Sequence, residues 1–182
     1  MLKAVTKKYD EFIEQQKELL KITYCKATRD PLTGLYNRQF LFDYLEKAIE
    51  KAIRNNSKAS LIFIDLDNFK CINDSFGHDI GDKILVNFAN LLRKHFRKYD
   101  IIARLGGDEF IIFTETSDLN TISARLLKLK KDIETEPYSK KCNLSLSYGI
   151  TLIPDEAKNI KEIIELADQR MYKQKHRKKN NN

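Results

Sequence analysis

The feature that most restricts the fold of this chain is a pair of apolar runs, residues 100–105 and 110–114, parted only by Gly106-Gly107-Asp108-Glu109. Two strand-forming runs joined by paired glycines predict a tight antiparallel hairpin, because glycine supplies the positive φ such turns need. A second run, Leu61-Ile62-Phe63-Ile64-Asp65-Leu66, reads as a buried strand ending in a carboxylate. Leu144, Leu146, Tyr148, Ile150 and Leu152 alternate strictly, which predicts a further strand. Helical patterns fill the intervals: one capped by Asn37 and running to about Arg54, others near residues 80–96, 119–135 and 159–175. The order is helix, then β-α-β-β-α-β-α. It predicts an α+β, ferredoxin-like and palm-like architecture, a mixed or antiparallel central sheet covered by helices.

Residues 1–28 form a separate unit in this reading. Leu2, Val5, Tyr9, Phe12, Gln16, Leu19 and Thr23 step alternately by three and four, the spacing of a coiled-coil seam. Two of the seven are polar, and Ile13 and Leu20 offer a second seam. The segment therefore either packs on its own domain or serves as a dimerising connector. The break at Asp30-Pro31-Leu32-Thr33-Gly34 then opens a globular domain over residues 29–179, with 180–182 as a disordered tail.

Composition excludes several classes. The net charge of +7 is a property of one end, since residues 170–182 hold six basic side chains and no acid, leaving 27 bases against 26 acids elsewhere. A nucleic-acid-binding domain would spread its charge over a folded face, so no specific nucleic acid is expected. The basic end reads as a solvated terminus, with RNA or anionic lipid as its alternative partners. An apolar fraction of 42% suffices for a core, and the longest clean apolar stretches are far shorter than a membrane span. No secretory signal opens the chain. Three widely spaced cysteines without a CxxC motif predict reduced, packed thiols and a cytoplasmic setting.

The chemistry concentrates in two places. Asp65-Leu66-Asp67-Asn68-Phe69-Lys70 leads into Asn73-Asp74, Gly77-His78 and Gly81-Asp82, while the hairpin carries Asp108 and Glu109 at its tip. If the hairpin lies beside the first strand, carboxylates converge at one sheet end and repel unless a cation neutralises them. An all-oxygen donor set suits Mg²⁺, which commonly also holds substrate phosphates. Gly106 and Gly107 leave room for a phosphate chain near the backbone, and Lys70 can neutralise its charge. The carboxylate of Asp82 matches the adjacent N–H donors of guanine, and Asn73 can meet its acceptors. Taken singly, each piece has an ordinary reading as a hairpin turn, a solvated strand end or a helix entry. The combination is what signifies.

Arg104-Leu105-Gly106-Gly107-Asp108-Glu109-Phe110 resembles the signature of the GGDEF family, the bacterial diguanylate cyclases. The likeness extends to the opening turn Asp30 to Arg38, the segment Asp65 to Asp82, Ser147-Tyr148-Gly149-Ile150, and Ala167 to Tyr172. It runs from about residue 28 to 179. The resemblance implies condensation of two GTP into cyclic di-GMP with release of two pyrophosphates, each half of a homodimer holding one GTP. It implies Mg²⁺, or Mn²⁺ as a substitute, held by Asp65, the Leu66 carbonyl, Asp108 and Glu109. Asp108 would also accept the 3′-hydroxyl proton, with Lys70 stabilising charge on the transferring phosphoryl. Phe69, Asn73, His78, Asp82, Gly106, Gly107, Lys175 and Lys179 would line the substrate site.

Arg97-Lys98-Tyr99-Asp100 matches the family's RxxD site for inhibition by product, although Arg and Asp three apart also make a simple ion pair. The close of the chain, Lys175-His176-Arg177-Lys178-Lys179-Asn180, puts Lys179 where the family has Arg, which keeps the charge and loses the bidentate fork. Asn68 stands where an aromatic or His is frequent. The resemblance further implies an upstream sensor. The rival readings are a silent domain that binds GTP or cyclic di-GMP and signals by contact, and a palm-like nucleic-acid enzyme. Intact Asp108 and Glu109 disfavour the first, and the near-neutral core disfavours the second.

Overall fold

The computed structural model describes the backbone of residues 2–180 and the side chains of residues 8–178. Its core strand is β1 (Ala59–Asp67), all nine residues of which are buried. Such a strand must be covered on both faces, and its alternation divides the core in two. Ile62, Ile64 and Leu66 face one cluster with Ile84, Leu85 and Phe88 of α4 (His78–His95) and Ile122, Leu126 and Leu129 of α5 (Leu119–Glu134). Leu61 and Phe63 face the other, with Leu41, Leu45 and Ile49 of α2 (Arg38–Arg54) and Ile163, Ala167 and Met171 of α7 (Ile160–Asn180). Asn37 caps α2 as expected, its side chain accepting the Phe40 N–H at 2.9 Å.

The sheet is completed by β2 (Ile101–Gly106), β3 (Glu109–Thr114) and β4 (Ser145–Ile153), in the order β2-β3-β1-β4. All its strand pairs are antiparallel. The architecture is the helix-covered α+β sheet that the element order predicts. Gly149 lets α7 lie directly on β4, since a Cβ there would stand 1.9 Å from the Ala167 carbonyl oxygen.

Four sequence-based expectations are corrected or extended. A helix, α3 (Phe69–Phe76), occupies the stretch around Asn73-Asp74, where the sequence pattern predicts no element, and a one-turn α6 (Ser139–Cys142) precedes β4. Both are too short to show a 3.6-residue period. The cysteines are not all reduced and packed: Cys71 of α3 and Cys142 of α6 are joined as a disulfide, and Cys25 is exposed. The basic end is not simply solvated. α7 continues to Asn180, past the expected limit near Lys175, and anchors two of its lysines on β1 carboxylates. Finally, α1 (Leu2–Thr28) does not pack on its own domain: Tyr9, Phe12, Ile13, Leu19 and Leu20 are all exposed. The seam positions Leu2 and Val5 lie outside the residues whose side chains are described, as does Lys179, and 181–182 of the tail are likewise outside the description.

Candidate active site

The register of β1 against β3 sets the carboxylates. Asp65 stands directly opposite Glu109, and the Leu66 N–H donates to the Asp108 carbonyl at 3.3 Å. N–H and C=O of one strand residue share a side, so the Leu66 carbonyl also faces the hairpin tip. The tip itself is a two-residue turn in which Gly106 pairs with Glu109 and Gly107 has φ +53°. A Cβ at Gly106 or Gly107 would meet nothing within 4 Å, so the surface above the turn is open to a ligand.

The tip is held from below by Arg104. Its guanidinium donates twice to the Gly107 carbonyl, at 2.8 and 3.0 Å, and to both oxygens of Asp30 at 3.2 and 3.3 Å. Asp30 also accepts the Thr33 N–H and hydroxyl. Desolvation works against that carboxylate, but these hydrogen bonds outweigh it and hold the Asp30 pKa below its ordinary value. Arg104 and Asp30 are thus positioning residues. Sequence reasoning quoted both as parts of motifs without assigning either a role.

Odd-numbered residues of β1 face α2 and α7, which brings the basic end of α7 onto the carboxylates. Lys175 Nζ lies 2.5 Å from Asp65 Oδ1, and Lys178 Nζ lies 2.8 Å from Asp67 Oδ2. Lys178 also donates to the Leu146 carbonyl and to Ser147 Oγ. Ser147 in turn donates to both Asp67 oxygens. Burial raises the Asp65 pKa, with Asp108 and Asp67 adding to it against the opposing pull of Lys175. Burial likewise raises Glu109, whose side chain still reaches solvent, and Asp65, Asp108 and Asp168 push in the same direction. Burial acts to lower Lys175, but its hydrogen bond to Asp65 and the surrounding acids outweigh this and the net shift is upward.

These donors suit a hard divalent cation. Carboxylates with raised pKa values beside a strand carbonyl are the oxygen set that Mg²⁺ or Mn²⁺ takes. Among the described residues no group of three or more His, Cys, Asp or Glu side chains is placed to hold a metal ion.

Across the Gly77 turn, α3 and α4 bring Asn73 and Asp82 to neighbouring surfaces. Asn73 lies over Gly81, where a Cβ would stand 1.9 Å from its amide oxygen, so a side chain at 81 would displace it. Lys70, His78 and Asp82 are exposed, and Asn73 is half-buried. Phe69 differs: it is 8% exposed and belongs to the core, its ring packed beside Gly81. It shapes the α3–α4 junction from beneath. A polar cavity of about 900 Å³ adjoins the carboxylate end, lined by Asp67, Asn68, Lys130, Lys140, Lys175 and Lys178 among others.

The Arg97/Asp100 pair is not displayed together. The Asp100 side chain is fully buried, accepts the backbone N–H of Arg97 at 2.7 Å, and faces Arg125 at 3.5 Å. Asp100 Oδ1 and Arg125 Nη1 are buried without a hydrogen-bond partner. The exposed Arg97 guanidinium turns to Tyr99 instead. The pair is therefore not the simple ion pair that the spacing allows.

Comparison with known proteins bears on all of this. A family model described as "Diguanylate cyclase, GGDEF domain" matches residues 27–181. MucR of Pseudomonas aeruginosa, named a bifunctional diguanylate cyclase/cyclic di-GMP phosphodiesterase, is 40% identical over 157 residues, covering 85% of this chain and 23% of MucR. The response regulator PleD of Caulobacter vibrioides is 30% identical over 154 residues, covering 82% of this chain and 34% of PleD. This chain thus spans between about a quarter and a third of these two relatives. Among solved structures, diguanylate cyclase SiaD of Pseudomonas aeruginosa, in complex with its activator SiaC, superposes with a TM-score of 0.76 at 28% identity, covering 96% of this chain and 68% of SiaD. The coiled coil and GGDEF domain of DgcB from Caulobacter crescentus, in complex with c-di-GMP, gives 0.82 at 24% identity, covering 96% and 94% of the two chains, and supports the fold alone. With its hairpin, carboxylate strand and closing helix in these places, the chain belongs to the GGDEF family.

Proposed function

We propose that this chain condenses two GTP into cyclic di-GMP and two pyrophosphates, as two copies meeting face to face in the cytoplasm of a bacterium. The observation that carries the reading is the open sheet end, where Asp65 opposes Glu109 and the Asp108 turn is pinned by Arg104 beneath a surface free of side chains. An open surface is what a half-site requires, because the partner's nucleotide must close it. In each half-reaction a 3′-oxygen bonds to the partner's α-phosphorus, the bond to the β-phosphate oxygen breaks, and the hydroxyl proton passes to the Asp108 carboxylate. Asp65, the Leu66 carbonyl, Asp108 and Glu109 are the groups that would hold Mg²⁺ or Mn²⁺, which supplies charge neutralisation and polarisation of the phosphates when bound.

The chain's own residues do the rest. Lys175, already drawn to the carboxylates, and Lys70 on α3 neutralise phosphate charge, and Lys179 takes the same role by its place in the family pattern. Asn73, His78 and Asp82 receive guanine, and Asp82 reads its N1–H and N2–H₂ donors. Phosphoryl transfer needs positioning and charge more than covalent help, and these residues provide both. The exposed apolar stripe of α1 supports pairing of two copies through the helix, and transmission from a sensor upstream. Arg97 and Asp100 form the product-inhibition site; Asp100 Oδ1 and Arg125 Nη1, atoms of ion-paired neighbours that make no hydrogen bond, support a ligand-dependent rearrangement there. Incubation with GTP and Mg²⁺, followed by chromatographic identification of the product, tests the reading. Cyclic di-GMP is the expected product, and its absence at concentrations where the chain is dimeric overturns it.

A further inference from the structure

The catalytic reading makes no use of Cys71 and Cys142, yet their bond lies against the substrate side of the molecule. Cys71 is the third residue of α3, the helix that also carries Lys70 and Asn73. Cys142 ends α6, and its Cα lies 5.7 Å from that of Cys71, within the range a disulfide spans. The same pair of segments also meets where the Asn68 amide donates to the Asn143 carbonyl at 3.0 Å, and where the Phe76 ring packs edge-on against Tyr138 and under the Lys141 ammonium. Asn68 and Asn143 both have left-handed backbone, φ +65° and +51°, so each segment turns sharply where it is tied.

Eight residues are too few for a stable isolated helix, and Phe69 and Ile72 are its only buried residues. Cys71 is half-buried and Cys142 buried, so the Cys71 sulfur is the accessible one. Ser75 Oγ lies 3.8 Å from one sulfur and 3.9 Å from the other, placed to solvate a thiolate released there. An enzyme that consumes GTP works in the reducing cell interior, where disulfides are mostly transient and regulatory.

We infer that Cys71 and Cys142 form a redox-modification site: the disulfide staples α3 to α6 and keeps the guanine-side residues in place, and reduction loosens α3 and weakens GTP binding. The part concerning GTP rests on the function proposed above; the part concerning α3 does not. Formation consumes a low-molecular-weight disulfide such as oxidised glutathione. One protein thiolate attacks it to give a mixed disulfide and one free thiol. The second protein thiolate then displaces the other, so two electrons pass to the small disulfide and both protons end on the released thiols. Reduced thiols reverse the sequence.

The test treats the whole chain with oxidised glutathione or with dithiothreitol and reads three signals. Thiol titration after denaturation should find one free thiol in the oxidised protein, Cys25, and three in the reduced. Backbone hydrogen exchange over residues 69–76 should quicken at least about tenfold on reduction, α3 becoming a separately opening unit. The apparent affinity for a non-hydrolysable GTP analogue should fall about three- to tenfold. Cys71→Ser should show the reduced values in both treatments, and Cys142→Ser guards against an effect confined to one position. Three free thiols after oxidation overturn the proposal, as does α3 exchange indifferent to redox state. If α3 responds and the analogue binds in neither state, the cyclase reading fails and the staple stands. If α3 responds and affinity is equal in both states, the control of GTP binding is overturned.

Discussion

Two acidic turns, built around Asp100 and Asp108, stand eight residues apart at opposite ends of β2 and meet opposite fates. The Asp108 turn is presented: its glycines leave open space above it, Arg104 props it from below, and the acids beside it are destabilised by one another. The Asp100 turn is withheld: its carboxylate folds inward onto the Arg97 N–H and Arg125, leaving only the guanidinium of Arg97 outside. One residue type thus stands at an open surface in one turn and serves as internal structure in the other. The difference lies in what surrounds each carboxylate. Where neighbours are acids, burial is costly and a cation would relieve it. Where the neighbour is a half-buried arginine, the group is already neutralised.

The sharpest way to break this contrast is to neutralise each turn. Asp108→Asn should lower turnover by about 10³-fold or more while moving the melting temperature little, since an open tip contributes chemistry and almost no packing. Wild-type cyclic di-GMP synthesis in that variant would remove Asp108 from the site. Arg104→Ala should come next, at about 10- to 100-fold in kcat, because a tip displaced by an ångström misaligns the reacting groups. Unchanged kcat would mean that the Gly107 and Asp30 bonds do not position the turn.

Asp100→Ala should act on the other axis. It leaves the mostly buried Arg125 without its carboxylate, at a cost of about 2 kcal/mol. In a chain of this size that lowers the melting temperature by roughly 4–8 °C. Loss of inhibition by added cyclic di-GMP in the same variant would sharpen the comparison, by making the buried carboxylate a reserve that product draws out. An unaltered melting temperature would place Asp100 among the presented acids.

The two turns also show what the sequence could and could not disclose. The hairpin was legible because paired glycines between strand-forming runs leave few alternatives, and its place beside β1 followed from the element order. The inward rotation of Asp100 was not, because spacing fixes a backbone position and leaves the rotamer open. Arg104 and Asp30 meet across 74 residues, and no local pattern announces such a contact. α3 is too short to show a period, so the helix that carries Lys70 and Asn73 read as loop. Cysteine count and spacing pointed to free thiols, because connectivity is a tertiary property that counts cannot supply. The basic run at the end gave the opposite error: charge alone suggested solvation, while the face of α7 on which Lys175 and Lys178 fall sends them to Asp65 and Asp67.

The smallest effect is expected from Glu109, and it tests the cause assigned to the presented turn. Burial, and then the charges of Asp65, Asp108 and Asp168, raise its pKa above the ordinary value of 4.5. A carboxyl whose folded pKa is raised favours the folded state when protonated, so it costs stability above the folded pKa and returns it as pH falls through the window down to 4.5. Glu156 has the opposite sign: Arg170 lowers its pKa, so its contribution is present above 4.5 and lost as pH falls below that. Like charges directly opposite on paired strands cost about 0.2–1 kcal/mol. Glu109→Gln should therefore raise the melting temperature at pH 7.5 by about 1–3 °C in the absence of divalent cations, and the gain should shrink toward zero near pH 4. Glu156→Gln should lower it at pH 7.5, with the loss shrinking only as pH falls below 4.5. Differential scanning calorimetry of both variants across that range separates the two signs. A Glu109→Gln protein that melts below wild type at pH 7.5 would mean that Glu109 is held by a favourable contact, and that the turn is presented for some reason other than repulsion among its acids.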